Sequence, residues 1–267
     1  MFERESIETA LFRSFYVLVF VVMLSPLLIV IGTSVAKSGN LVFPPKSVSL
    51  RWYIEFLTDD RWLGAVWNSA ITSTGTMLIS TILGVTAALG VHGTDSRWTN
   101  AIVPLALLPL LIPPVVIGVT LLMFLSRFEL QQTYLGIVIA HSLWATPLVF
   151  FIMQAVFQRF DWQLKNAGHD LGASPLRNFG EIVLPNIRHG ILASAIIAFI
   201  ISLQEFIMAL FLSGYQTRTI PVLAWISLRQ SLSPLISVVS TLLILGALTL
   251  LIPAAFVVGM ELLAKQL

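Results

Sequence analysis

The chain contains no cysteine. Disulfides, thiol nucleophiles and thiolate-held metals are therefore excluded. Charge is nearly as scarce: charged residues are 10% of the 267, where a soluble domain carries about a quarter. Fifteen basic and 13 acidic residues almost cancel, leaving a formal charge of +2, and no basic surface for nucleic acid follows from that. A glycine-rich phosphate loop of the Walker type is also absent, which excludes a nucleotide site of that kind on this chain. What fills the space is apolar: 57% of residues are hydrophobic and the mean hydropathy is +0.92. The chain is an integral membrane protein.

A helix crosses the hydrocarbon core in about 20 apolar residues. Charge-free intervals predict six such helices, at about 14–36, 64–92, 99–126, 132–158, 189–213 and 234–260. Barrel strands are excluded by length, since those alternate over only about ten residues. The first interval resembles a signal peptide, but at 23 residues it exceeds the about 7–15 of a signal core, and it reads as a retained span. With neither tandem repeat nor low-complexity linker, residues 1–267 read as a single transmembrane domain.

Within the spans, composition predicts local behaviour. Helix 2 is rich in small residues, among them Ser69, Ser73, Gly75, Ser80 and Gly84, which lets backbones approach closely in lipid. Helix 3 carries Pro104, Pro109, Pro113 and Pro114; the missing amides predict a break near 112–114. The connection 37–61 is predicted to hold a short amphipathic helix capped by Ser49, with Trp52, Tyr53 and Phe56 toward the membrane interface. Trp52, Trp62 and Trp67 read as belt residues.

One polar island interrupts the apolar runs, at 159–188. It begins at Arg159 and Asp161, and its centre reads Asn166-Ala167-Gly168-His169-Asp170-Leu171-Gly172-Ala173-Ser174-Pro175. Asp161 or Asn166 suits a helix N-cap, and Gly172 suits the left-handed residue that ends that helix. Ser174 caps a second helix with Pro175 at its first position, and Leu184-Pro185 is predicted to end it. Ala167 and Gly168 leave a surface without bulk, suited to a cleft on another protein. The same signals fit an ordinary capped loop, and the residues alone leave both readings open. Nor does charge orient the chain. The island and termini side holds Arg4, Arg13, Arg97, Arg159, Lys165, Arg177, Arg188 and Lys265, and the other side holds seven basic residues, too even for the positive-inside rule.

The island resembles the EAA loop of bacterial binding-protein-dependent ABC importer permeases. Ala167, Gly172, Ile182, Leu184 and Pro185 fall in its register, with nine residues between Gly172 and Ile182. Asn166 stands where glutamate is usual, and Gly168 where the second alanine is usual. Phe43-Pro44-Pro45, Asn68-Ser69, Pro113-Pro114 and Pro147 resemble further landmarks of that superfamily. The stretches Ser202-Leu203-Gln204-Glu205-Phe206, Phe211-Leu212-Ser213-Gly214 and Thr219-Ile220-Pro221-Val222 are similar to the second permease of spermidine/putrescine-type importers.

This resemblance implies an all-α, type I importer architecture with a cytoplasmic coupling helix between helices 4 and 5. It implies ATPase coupling through Asn166, Ala167, Gly168, Asp170, Leu171, Gly172, Ala173 and Ser174. It further implies a location in the bacterial cytoplasmic (inner) membrane with both termini cytoplasmic. The partners it implies are a second permease in a heterodimer, an ATPase dimer that holds ATP and magnesium, and an extracytoplasmic solute-binding protein. The chain itself carries no catalysis and no cofactor in this reading.

Glu205 is the one carboxylate inside a predicted span. A charge at the bilayer centre costs about 2.5–3.5 kcal/mol on insertion scales, so it must face a cavity or a partner. It reads either as a pathway residue for a cationic solute such as a polyamine, with Gln204, Ser202, His141 and Trp144 beside it, or as a structural acid. Other solutes of the same importer class (an amino acid derivative, an opine, an aminophosphonate) fit the resemblance as well. An ion-coupled secondary transporter fits less well, since one acid and no repeat supply little for ion coupling. An intramembrane hydrolase also fits poorly, because His141 and Ser142 are chain neighbours with no orienting acid.

Overall fold

The computed structural model describes residues 2–92 and 99–264. Arg97, Trp98 and Lys265 lie outside the described residues. Among the described residues the regular structure is helical, apart from one isolated antiparallel bridge between Ala36 and Val48. The helices are α1 (Phe2–Ser34), α2 (Arg51–Thr58), α3 (Asp60–His92), α4 (Thr99–Leu111), α5 (Pro114–Leu125) and α6 (Tyr134–Arg159). They continue as α7 (Trp162–Asp170), α8 (Pro175–Asn178), α9 (Leu184–Gln204), α10 (Ile207–Leu212), α11 (Ile220–Gln230) and α12 (Pro234–Ala264). Five stretches are long and apolar enough to cross a membrane: Thr9–Ser34, Asp60–His92, Tyr134–Arg159, Pro175–Gln204 and Pro234–Pro253. A bent pair, Ala101–Leu111 with Pro114–Phe128, makes the sixth when counted as one span.

The chain divides into two compact units, Met1–Leu63 with Ala224–Leu245, and Gly64–Leu223 with Gly246–Leu267. In the first, the connection after α1 folds back on its end. Trp52 Nε1 donates to the Ala36 carbonyl at 2.9 Å, and Ser34 and Tyr53 share a 2.8 Å hydroxyl contact. Thr33 donates to Ser237 Oγ at 3.0 Å. The aromatic-belt expectation needs correction here. Trp52 and Trp62 are buried at 7% and 2% exposure and Phe56 packs on Trp62; only Trp67 is open, at 66%. The amphipathic face of α2 thus covers the chain's own interior. Its cap position is Leu50 rather than Ser49, although Ser49 Oγ still accepts the Arg51 N–H.

In the second unit α6 is the most enclosed span. Ala145, Val149, Phe150, Met153 and Phe157 of α6 pack with Val85 and Ala88 of α3 and with Val183, Ile187 and Ala198 around α9. Lipid tails are as apolar as leucine, so close packing rather than water exclusion holds such spans together. Gly84 shows how close: a Cβ there would lie 2.6 Å from Val149 Cγ1 and 3.0 Å from the Phe150 amide.

The predicted proline break is present. Pro113 and Pro114 lack amide hydrogens, and the two arms of span 3 meet at 93°. Span 5 departs from the expected uninterrupted 189–213. It stops at Gln204, Glu205 is extended at φ −68 and ψ 121, and the helix restarts as α10. The other departure is at Leu184-Pro185, which does not end a helix. A π-helical turn, Phe179–Val183, joins α8 to α9, with the Leu184 N–H donating to the Phe179 carbonyl, and Pro185 lies just past that turn inside the continuous helical run. Asn186 Nδ2 donates to the Ile182 carbonyl at 2.7 Å within the same join. The second half of the island is therefore one rod with span 5.

Candidate functional site

The island folds as two capped helices around a tight turn. Asp161, not Asn166, caps α7, its Oδ1 accepting the Gln163 N–H at 2.9 Å. The helix closes with Gly172 at φ +83. Gly172 N–H donates to the His169 carbonyl at 2.9 Å and Ala173 N–H to the Gly168 carbonyl at 3.0 Å, the paired bonds of a Schellman end. Ser174 Oγ then accepts the Arg177 N–H at 3.3 Å, with Pro175 first in α8.

This turn has two sides. Asn166, Ala167, Asp170, Leu171, Gly172 and Ser174 are exposed, and Ala173 is half-buried. Leu171 and Leu176 are 89% and 84% exposed, more than any other large apolar side chain described. Gly168 faces the other way, which corrects the expectation that it contributes to an outward surface. A Cβ there would meet Ile182 Cδ1 at 2.5 Å and the Asn178 amide at 3.1 Å. Buried Asn178 donates from Nδ2 to the Lys165 carbonyl at 2.7 Å, tying α7 to the rod of span 5. Glycine in place of the usual alanine makes room for this contact. The exposed Arg177–Glu181 pair, 3.0 Å apart, contributes at most a few tenths of a kcal/mol.

Three of the five residues singled out around the buried acid come together. Glu205 Oε1 accepts the N–H groups of Ile207 and Met208, and Oε2 that of Ala209, all at 3.0 Å. Its carboxylate thus takes the free amides at the start of α10, and this is why span 5 breaks there. His141 Nε2 stands 3.2 Å from Oε2, off the line of a good hydrogen bond, and both side chains are nearly inaccessible. His141 Nδ1 meets Ser202 Oγ at 2.8 Å, and Ser202 donates onward to Thr76 Oγ1 at 3.2 Å. Spans 2, 4 and 5 thereby share one buried polar chain.

The other two residues lie elsewhere. Gln204 is exposed. Trp144 Nε1 donates at 3.1 Å to the carbonyl of Pro109, whose helical partner would have been the amide that Pro113 lacks. Thr76 and Asn178 escape sequence reading because a hydroxyl or an amide among small residues carries no local signal. Leu176 carried one: a large apolar residue inside a charged loop. Asn68, a landmark by resemblance, donates to the Gln216 and Arg218 carbonyls at 2.8 and 2.9 Å and accepts from Tyr134 at 2.7 Å. It pins the segment before α11.

Six apolar spans, two of them broken, and a capped loop between the fourth and fifth define a transport subunit. The model of the binding-protein-dependent transport system inner membrane component matches residues 80–265, and the chain belongs to that family. It is a multi-pass inner-membrane permease with the type I importer fold. The putrescine transport system permease protein PotI of Escherichia coli is 32% identical over 235 residues, covering 85% of this chain and 83% of that protein. A probable molybdenum ABC transporter permease of Haloferax volcanii is also 32% identical, over 197 residues, 71% of this chain and 72% of that one. In fold, the chain is similar to a bacterial ABC transporter that imports the acidic polysaccharide alginate, with a TM-score of 0.72 at 13% identity over 96% of each chain.

Proposed function

We propose that this chain forms half of the translocation pathway of an ATP-driven importer, and that 159–188 docks on a cytosolic ATPase. The observation that carries the docking is the pair Leu171 and Leu176. Two leucines open to more than four-fifths of their surface, held outside the apolar spans by a Schellman end and a serine cap, lack cover within the chain. A cleft on a partner supplies it. Asn166, Ala167, Asp170, Gly172, Ala173 and Ser174 form the small, polar surround of those anchors, and Gly168 sets the helix beneath them. Asn166 offers hydrogen bonds where the usual glutamate offers charge.

The docking side is cytoplasmic in this reading, and both termini with it. ATP and magnesium sit on the partner ATPase dimer, a second and different permease completes the pathway, and a solute-binding protein delivers from the other side. The solute class is a polyamine, supported by PotI over most of both chains and by the overlap with the spermidine/putrescine permease PotC of Haemophilus influenzae, 22% identical over 90% of this chain. A second reading, an oxyanion such as molybdate, is favoured by the Haloferax relative.

The test is co-purification with the ATPase and uptake by the reconstituted importer. Leu171→Asp with Leu176→Asp removes the ATPase from the purified complex, whereas a wild-type yield of ATPase excludes docking through this turn. Uptake of labelled putrescine but not molybdate supports the polyamine reading; the opposite result replaces it by the oxyanion.

A further inference from the structure

We infer that Trp162, stacked on His92, is the positioning residue through which movement of the docked loop reaches spans 2 and 4. The inference rests on the reading of 159–188 as an ATPase-docking loop. Between α6 and α7 the backbone is extended at Phe160 and Asp161, with ψ of 131 and 99. Two non-helical residues form a joint about which α7 can swivel, so the covalent connection alone does not carry α7's motion into α6.

Trp162 closes that joint. Its Nε1 donates at 3.1 Å to the Phe157 carbonyl at the end of α6, which also accepts the Phe160 N–H at 3.3 Å. Its ring meets Phe160 edge-on at 5.0 Å and Phe157 at 5.8 Å. His92, the last residue of α3, stacks on the opposite partner in the cluster: its ring lies 5.9 Å from Trp162 at 19° and 5.8 Å from Phe157. His92 Nε2 is buried with no hydrogen-bond partner among the described residues, while its ring packs on Trp162 and Phe157. Lys165, one turn along α7, places Nζ 5.4 Å over the Trp162 ring.

The coupling helix is thus held at two places with different destinations. Near its far end, Gly168 packs on Ile182 and Asn178 bonds the Lys165 carbonyl, which leads into the span-5 rod. At its first residue, Trp162 leads into the ends of α6 and α3. A push on Leu171 and Leu176 moves span 5 through the rod. The aromatic cluster gives spans 2 and 4 a direct link to the same push, beside the side-on packing of α9 on α6 and α3, and Phe157 within it is fully buried in that shared core.

The test uses the complete importer, reconstituted with its ATPase, partner permease and binding protein, and carrying Trp162→Ala, Trp162→Phe or His92→Ala. Co-purified ATPase, phosphate release and labelled putrescine uptake are read from the same preparations. Trp162→Ala and His92→Ala are expected to hold the wild-type ratio of ATPase and to release phosphate, yet to take up about tenfold less putrescine per phosphate, the scale on which residues of a coupling network act. Trp162→Phe keeps a stacking ring and is expected to stay within about threefold. Unchanged uptake per phosphate in an assembled Trp162→Ala or His92→Ala complex overturns the inference. A parallel fall in assembly and uptake with a constant ratio does so too, since that is what mere structural support gives. If Trp162→Ala fails to accumulate, His92→Ala, which removes the ring from the other side, decides alone. Failure of the wild-type chain to retain ATPase instead removes the docking reading, and this inference with it.

Discussion

Glu205→Gln separates a carboxylate that serves the solute from one that serves the fold. Glutamine can keep one oxygen on the Ile207 and Met208 amides. Its NH2 group then faces the Ala209 N–H, which Oε2 accepts in the native chain, and stands beside His141 Nε2. A buried N–H left without an acceptor costs about 1–3 kcal/mol. Taken at about 2 kcal/mol, and at about 2–4 °C per kcal/mol, that loss lowers the melting temperature by about 4–8 °C. Melting of the detergent-purified complex, read beside uptake, gives the answer. Combining Glu205→Gln with His141→Ala is expected to cost less than the sum of the two, because both remove the same pair. A melting temperature unchanged within experimental scatter, together with lost uptake, would refute the capping argument and return Glu205 to the solute.

Gly172 sits at φ +83 with open space around its Cα, so Gly172→Ala carries only the left-handed backbone cost of about 1–2 kcal/mol and should keep much of its uptake. Gly172→Asp adds charge to the docking turn and should abolish uptake while the binding protein still captures solute; normal uptake in that variant contradicts docking. Gly84→Ala drives a methyl into Val149 and the Phe150 backbone; an overpacking cost of about 1–3 kcal/mol should lower the melting temperature, and an unchanged melt means α3 and α6 lie further apart. Because the chain has no cysteine, single cysteines report sidedness cleanly. Leu171→Cys should react with an impermeant thiol reagent only in inverted vesicles and Tyr215→Cys only in right-side-out ones; the reverse pattern inverts the proposed topology.

Much of this architecture is local and therefore readable in the chain. The break at Pro113-Pro114 follows from two missing amides. Asp161, Gly172 and Ser174 act within four residues of themselves, and each does what its side chain or its lack of one dictates. Asn166, the other candidate cap, lost to Asp161 because helix α7 starts four residues before it. What the residues did not disclose depends on distant partners. A glutamate in an apolar run reads the same whether its oxygens face a cavity or its own backbone, and His141 lies 61 residues from Ser202. Gly168 looked outward because lack of bulk is silent about direction; only Ile182 and Asn178 against it give the direction. Trp52 and Trp62 followed the membrane-belt habit of tryptophan until the fold of 35–63 enclosed them.

The two broken spans share a common support. Backbone groups freed at membrane depth persist only where protein or a hydrated cavity satisfies them. At the span-3 break the freed acceptor is the Pro109 carbonyl, and Trp144 of α6 donates to it. At the span-5 break the freed donors are the first amides of α10; Glu205 accepts them, and His141 of α6 stands against the charge that results. His141 and Trp144 are three residues apart, neighbours on one helical face. The most enclosed span thus holds both discontinuities from a single turn. Its C-terminal end is where Phe157 and Phe160 receive Trp162 of α7. The helix that makes the breaks tolerable is therefore also the one that Trp162 of the 159–188 loop packs against.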